Sequence, residues 1–329
     1  MTRQAAGPTL WNQEKLLGTA RSFMESRILL TAAELDLFSL TATEPLSAGQ
    51  IAERIGADQR AMTIVLDALA AMGLMLKEKG SYQTEPSAAP LLSASSPVSV
   101  LPMVNHANDL WDRWGQLTPK IAGKRDREKS RRAFIGAMHV VGSALAPQVV
   151  SQIGVSEARR LLDVGGGSGT YTIAFLEAEP RMEATLFDLP PVIDMARERL
   201  QAAGMLERVR LVAGDYRKDA LPAGHDLAFV SAIIHQNSFP ENTALFRNIY
   251  DALAPGGRIV VRDHLLSPDR THPRSGALFA VNMLMGTKGG NSYTEDEVRE
   301  ALQQAGFVTI RTIQPDVRMD GLMEGFRRR

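Results

Sequence analysis

Four glycines in one run of ten residues, Leu161-Leu162-Asp163-Val164-Gly165-Gly166-Gly167-Ser168-Gly169-Thr170, carry the strongest chemical signal in the chain. An apolar strand pattern runs into a glycine turn and out into a helical pattern, and a backbone without Cβ atoms lets a ligand lie directly against it. A dinucleotide fingerprint wants glycine at its first, third and sixth positions, but counting from Gly165 the sixth is Thr170. The G-x-G-x-G spacing suits a nucleoside ligand without a pyrophosphate, packed by its amino-acid end against the loop. Taken alone, the loop is also compatible with a plain strand-to-helix connection.

Two acids narrow the choice. Asp188 ends a second aliphatic run, where an ionised carboxylate can accept from both ribose hydroxyls, each charge-assisted bond being worth about 1.5–3 kcal/mol. Asp215 follows Gly214 at the end of a third run and is placed to accept from an adenine amino group, with Tyr216 beside it for the ring. Any one strand-terminal aspartate can be a turn cap. Three strand ends in register at one sheet edge are harder to obtain by capping, and that edge is where open α/β sheets bind ligands.

The elements that must position these residues alternate. Arg160 to Val164, Ala184 to Asp188, Val209 to Ala213, Leu227 to Ile234, Arg258 to Asp263 and Val308 to Ile313 read as strands. Helical patterns fall between most of them, at Tyr171 to Ala178, Val192 to Ala203, Thr243 to Leu253 and Glu295 to Ala305. The expected fold class is therefore α/β, a Rossmann-like, mostly parallel sheet wrapped on both faces, with Gly321 to Arg329 as a last strand at an edge.

The first third reads differently. Leu16, Phe23, Ile28 and their neighbours recur at helical spacing from Asn12 to Asp36. Ser47 with Gln50 has capping-box spacing, Asp58 can cap a helix from Arg60 to Met72, and the Lys79-Gly80 turn joins two short strands. This is a winged helix-turn-helix pattern. The predicted organisation is a helical, winged-helix dimerisation domain over 1–100, a helical linker contributing to a substrate pocket over 101–155, and a Rossmann-like domain over 156–329.

Composition bounds the function. The 329 residues carry 37 Lys+Arg against 37 Asp+Glu, so the chain lacks the basic excess expected of a nucleic-acid binder. With no cysteine, disulfides, thiolate metal sites and cysteine nucleophiles are excluded and a reducing cytoplasm is expected. MTRQAAGPTL has no long apolar run, so no signal peptide is expected, and no apolar stretch is long enough to span a membrane. The charge-dense run from Lys124 to Arg132 reads as a solvated helix face.

With these motifs in hand, the chain resembles the class I S-adenosylmethionine-dependent methyltransferases, and within them the small-molecule O-methyltransferases that act on caffeic acid, hydroxyindoles and anthracyclines. The resemblance rests on the N-terminal region, Leu161 to Thr170, Phe187-Asp188-Leu189-Pro190, Gly214-Asp215-Tyr216 and Leu253-Ala254-Pro255-Gly256-Gly257, and it covers nearly the whole chain. It implies S-adenosyl-L-methionine as cofactor, with contacts from Asp163, Gly165, Gly167, Asp188, Leu189, Asp215, Tyr216 and Ser231. Ser231 stands where many family members carry a lysine.

The resemblance also implies the catalytic pair. His235 of Ile234-His235-Gln236-Asn237 occupies the place of the family's base, and Asp263 matches the acid that orients it. A neutral imidazole can take a phenol's proton as the methyl group moves. Gln236 and Asn237 replace the usual Asp-Trp, and the family's second supporting glutamate falls at Ser292, with Glu295 as a possible substitute. Phe134, Met138, Asn282 and Met283, with Met285, His106, Trp111 and His139, are the implied pocket residues. His225 and His272 read as loop residues.

The expected activity is methyl transfer to a hydroxyl of a small aromatic or polyketide-like acceptor, by a homodimer joined through its N-terminal helices, with no metal, nucleic acid or membrane partner. Methylation at an electron-rich carbon, or cofactor binding without methyl transfer, are the alternatives within the family. A winged-helix regulator is disfavoured because the helix from Arg60 to Ala70 carries one basic residue. A nicotinamide dehydrogenase lacks the sixth-position glycine, and a metal-dependent catechol-type enzyme lacks an acidic ligand cluster after the fourth strand.

Overall fold

The computed structural model describes residues 11–122 and 145–329. The run from Lys124 to Arg132 and the pocket candidates Phe134, Met138 and His139 lie outside the described residues. The chain divides into two units, Met1–Leu117 and Thr118–Arg329.

In the first unit, helices Gln13–Arg21, Phe23–Glu34, Leu37–Leu40, Ala48–Ile55 and Gln59–Ala71 precede a small hairpin. Ser47 and Gln50 form the capping box that their spacing predicts, and the Asp58 carboxylate accepts from the Ala61 N–H at 2.7 Å. Strand β1 (Leu46–Ser47) joins β2 (Met75–Glu78) and β3 (Ser81–Thr84) in the order β1-β3-β2. Lys79 and Gly80 both take positive φ, 48° and 81°, as a two-residue hairpin turn requires.

Two features of this unit differ from a DNA reader and from a simple amphipathic reading. Lys77 points inward, where its Nζ lies 2.5 Å from Asp67, a carboxylate that also accepts from the Tyr82 hydroxyl at 2.6 Å. Ile28, which shares the helical pattern of Leu16 and Phe23 in the region expected to join the dimer, is 4% exposed and belongs to the unit's own core, whereas Leu16 and Phe23 are exposed. Helix Leu101–Gly115 packs on Phe23–Glu34, with Asn108 bonded to Arg27 and Glu34 and Trp111 6.5 Å from Phe23.

The second unit is built on seven strands: β4 (Arg160–Val164), β5 (Glu183–Asp188), β6 (Val209–Ala213), β7 (His225–Ser231), β8 (Leu253–Asp263), β11 (Val308–Gln314) and β12 (Gly321–Phe326). Their order is β11-β12-β8-β7-β4-β5-β6, parallel from β8 to β6 and antiparallel around β12. The short pair β9 (Leu265–Leu266) and β10 (Tyr293–Thr294) stands apart.

Alternation along the strands separates two cores. Leu161, Phe229, Val260 and Leu322 pack with helix Thr170–Ala178 and residues 145–153, while Leu162, Val230, Val261 and Met323 pack with helices Phe239–Ala252 and Glu295–Gln304. At roughly 20–33 cal/mol per Å², burial of these faces stabilises the sheet that carries the strands' carboxyl ends.

The expected edge position of the last strand is corrected. β12 lies inside the sheet between β8 and β11, and β11 is the edge. The reason is electrostatic as well as hydrophobic, since Glu324 of β12, fully buried, accepts from Arg258 at 2.9 Å on one side and Arg311 at 2.5 Å on the other. His225 is also corrected, from loop residue to first residue of β7, buried with its Nε2 2.9 Å from the Thr185 hydroxyl. Helix Phe239–Ala252 starts earlier than its apolar pattern suggests because Ser238 and Glu241 form a capping box. Among the described residues no helix is long and apolar enough to cross a membrane.

Candidate active site

The glycine turn is shaped by what lies under it. Gly165 has φ +68°, and a Cβ there would come within 2.4 Å of Ile233 Cδ1, so the turn packs directly on the segment that follows β7. Gly167 has φ +57° and open space where a side chain would be, which leaves its backbone accessible from above. Asp163 sits beneath this turn, 1% exposed, and accepts from the Thr172 hydroxyl at 2.6 Å. Burial, with a smaller push from the Asp188 charge, raises its carboxyl to about 7 against the opposing pull of Thr172. The structure therefore gives Asp163 the geometry of a support for the turn.

Asp188 is tied to the same turn. Its Oδ2 accepts from the Gly167 N–H at 2.8 Å and its Oδ1 from the Leu189 N–H at 2.7 Å. Each oxygen retains lone-pair capacity for a further donor. Burial lifts the Asp188 carboxyl above the usual range, while these two N–H donors act against the rise. Leu189 itself is 48% exposed beside it.

Asp215 and Tyr216 follow β6. Asp215 is partly exposed, accepts from the Arg217 N–H at 3.1 Å and lies 3.7 Å from Lys218 Nζ. The Tyr216 hydroxyl donates to Asn237 Oδ1 at 3.1 Å, and Arg217 donates to the same oxygen at 3.2 Å. Asn237, fully buried, also donates to Asn242 and accepts from the Tyr293 hydroxyl through its carbonyl. It thus couples the segment after β6 to the histidine turn after β7. Its position in place of an expected tryptophan was the available signal, but one sequence does not reveal what an asparagine will bond to.

The histidine turn holds the most defined geometry. His235 Nδ1 lies 2.9 and 3.0 Å from the two oxygens of Asp263, both residues being buried. Burial alone would raise the Asp263 carboxyl, but the His235 charge and hydrogen bond, together with His264 and its N–H, hold it below the usual carboxylate range. Phe279 stands edge-on to the His235 ring, with centroids 4.9 Å apart and planes at 89°. The His235 carbonyl accepts from the Asn291 N–H at 2.9 Å, which fixes the turn from a second side.

Phe279 lies on helix Arg274–Gly286, where Met283 follows it by one helical turn. Met283 is 8% exposed, while Asn282 and Met285 are exposed, so the helix presents Phe279 and Met283 inward. Phe279 carries no clear sequence signal, because its helix has a mixed apolar pattern with no single sharp face. His106 is exposed and Trp111 is engaged within the first unit.

The possible replacement by Glu295 is corrected. Its carboxylate accepts from the Thr312 hydroxyl of β11 at 2.8 Å, and His235 Nδ1 bonds Asp263 instead. Ser292 is buried and donates to the Gly276 carbonyl at 2.8 Å. His235 accordingly has one carboxylate partner, Asp263, among the described residues. Ser231 ends β7 and its hydroxyl accepts from Arg262 Nη1 at 3.0 Å.

Comparison with known proteins follows the same division of the chain. The O-methyltransferase domain family matches residues 107–308, and the O-methyltransferase dimerisation domain family matches residues 17–94. The chain is 32% identical over 313 residues to the tetracenomycin polyketide synthesis 8-O-methyl transferase TcmO of Streptomyces glaucescens, covering 90% of this chain and 92% of that protein. Among solved structures it is similar to an O-methyltransferase family 2 protein from Planctomyces limnophilus in complex with apigenin, at 25% identity and a TM-score of 0.83, covering 97% of each chain. It is also similar to human N-acetylserotonin methyltransferase in complex with SAM, at 25% identity and a TM-score of 0.57, covering 98% of this chain and 100% of that one.

Proposed function

The chain belongs to the O-methyltransferase family, and from that premise we propose that it transfers the methyl group of S-adenosyl-L-methionine to a hydroxyl of a small aromatic or polyketide-like acceptor. The observation that carries this reading is the buried His235–Asp263 pair at the carboxyl end of the parallel strands. Asp263 accepts from Nδ1–H, which leaves Nε2 as the basic nitrogen, and Nε2 makes no hydrogen bond among the described residues. His235 takes the acceptor's proton at Nε2 as the oxygen becomes nucleophilic, and the Asp263 charge stabilises the resulting imidazolium. Phe279 limits rotation of the ring and keeps water from one of its edges.

The turn residues fit the cofactor. Gly167 offers an open backbone, and both Asp188 oxygens retain capacity for the ribose hydroxyls. Asp215 and Tyr216 would border the adenine, Gly165 and Leu189 would flank the turn, and Ser231 would face the cofactor from β7. Asp163 supports this constellation from below. When bound, the cofactor supplies an electrophilic methyl group on a sulfonium sulfur.

The acceptor would lie between His235 and the face carrying Phe279 and Met283, with Asn282 at its rim. Phe134 and Met138 remain candidates from the resemblance alone. The dimerisation-domain match supports a homodimer joined through the N-terminal helices, where Trp11, Leu16 and Phe23 are 60%, 55% and 51% exposed. We place the enzyme in the cytoplasm on its cysteine-free sequence. The inward-facing Lys77 supports a winged helix that binds no nucleic acid.

The test is a mass-spectrometric screen of phenols, hydroxyquinones and enols with purified protein and S-adenosylmethionine. An oxygen-linked methyl product that disappears in His235→Ala is expected. Products methylated only at carbon, or none across the panel despite cofactor binding, would overturn the reading.

A further inference from the structure

A cation is buried in the sheet with no counter-ion among the described residues. Arg262 of β8 is 3% exposed. Its Nη1 donates to Ser231 and its guanidinium stacks over the Tyr171 ring at 5.2 Å, but among the described residues no carboxylate lies within 4.0 Å of it. Its Nε and the Tyr171 hydroxyl are both buried with no hydrogen-bond partner among the described residues.

Two neighbouring carboxylates act electrostatically on Tyr171, and both are engaged elsewhere. Asp163 accepts from Thr172, and Asp320 accepts from the Val317 and Arg318 N–H groups. Orphaned buried donors beside an unpaired cation are costly unless something supplies the missing acceptor.

The position of the cluster says what that acceptor is. Ser231 and Arg262 are paired across the carboxyl ends of β7 and β8, and Tyr171 lies in the first turn of the helix that the glycine turn opens. Arg262 and Asp263 are consecutive on one strand and so project to opposite faces. The histidine pair occupies the second face, and the cation lies on the face of Asp163, Phe229 and helix Thr170–Ala178. A carboxylate on the acceptor would belong beside His235. One that reaches Arg262 must come from the ligand of the glycine turn.

We propose that Arg262 and Tyr171, with Ser231, form the subsite for the carboxylate of the cofactor's amino-acid end. The positive charge is delivered from β8 by Arg262, and Ser231 orients the guanidinium. This rests on the cofactor reading above and adds Arg262 and Tyr171, which the sequence alone did not single out.

The test compares two ligands that share the adenosine and the sulfur: S-adenosylhomocysteine, which carries the amino-acid carboxylate, and 5′-methylthioadenosine, which lacks it. By calorimetry, Arg262→Gln is expected to weaken S-adenosylhomocysteine about 10–100-fold and to leave 5′-methylthioadenosine within about twofold, as loss of a charge-assisted bond predicts. Tyr171→Phe removes an oxygen with no partner among the described residues, so it should leave thermal stability equal or higher while weakening S-adenosylhomocysteine about 2–10-fold. This second variant carries the test if Arg262→Gln does not fold. Equal weakening of both ligands, or unchanged affinity for S-adenosylhomocysteine, would overturn the subsite while leaving the cofactor reading intact. A wild-type protein that binds neither ligand would overturn both.

Discussion

His235 Nδ1 meets both oxygens of Asp263, at 2.9 and 3.0 Å, so one carboxylate sets both the tautomer and the tilt of the imidazole. The two residues are 28 positions apart and meet only because β7 and β8 are adjacent and parallel. A base oriented this way contributes in the transition state, not in cofactor binding. His235→Ala should therefore lower kcat about 10²–10⁴-fold with the affinity for S-adenosylhomocysteine nearly unchanged. Asp263→Asn should lose a similar factor, because an amide cannot balance the imidazolium. Single-turnover kinetics and calorimetry on the same samples check both, and a His235→Ala enzyme with near-wild-type turnover would remove the base from the mechanism.

Asp188 should govern cofactor affinity through its ionised form. Asp188→Ala is expected to weaken S-adenosylhomocysteine about 10–100-fold through the loss of charge-assisted bonds. The sign with pH follows from the direction of its shift. Its carboxyl titrates above the usual carboxylate range, so affinity should fall on acidification before ordinary carboxylates protonate. Calorimetric titrations in a series of buffers from neutral to mildly acidic pH would show it, and an acid-insensitive wild type would contradict it.

Asp163 should make stability depend on pH in a particular window. Its carboxyl is raised from 3.8 to about 7, so between these values the folded state holds a proton that the unfolded state has released. Stability then falls as pH rises through that window and levels off above it. Asp163→Asn keeps an acceptor for Thr172 without a charge, and its urea midpoint should be nearly flat over the same range. If the two proteins show parallel pH profiles, Asp163 is ionised in the fold.

The N-terminal helices should govern assembly. Replacing exposed apolar residues by charge, as in Leu16→Asp with Phe23→Asp, should shift a homodimer toward monomer at micromolar concentration. Ile28→Asp should unfold the first unit instead, because Ile28 is in its core. Light scattering with circular dichroism separates the two effects, and a wild-type monomer in solution would overturn the dimer.

Much of the fold was legible because its signals are local. The parallel strands, the capped helices at Ser47 and Asp58 and the Lys79-Gly80 hairpin all depend on residues within a few positions of one another. The glycine turn and Asp188 were legible for the same reason, since each marks the end of its own strand. Helix Phe239–Ala252 begins before the apolar pattern at Thr243, because the cap at Ser238 and not apolar spacing sets its N-terminus.

What tertiary structure alone decided are the relations between distant segments. The chain order around β8 cannot show that β12 enters the sheet beside it, because the strands it pairs with and the arginines that meet Glu324, Arg258 and Arg311, lie apart in sequence. Glu295 lies three residues from Ser292, the place of the family's second supporting glutamate, yet its carboxylate bonds Thr312 of β11. Ile28 and Phe23 share one helical pattern, and only packing separates a core side chain from an exposed one. Arg262 reads in sequence as a charge inside an aliphatic strand. That it meets no counter-ion among the described residues is a property of three-dimensional neighbours, since side-chain periodicity sets which face a residue takes but not what it meets there.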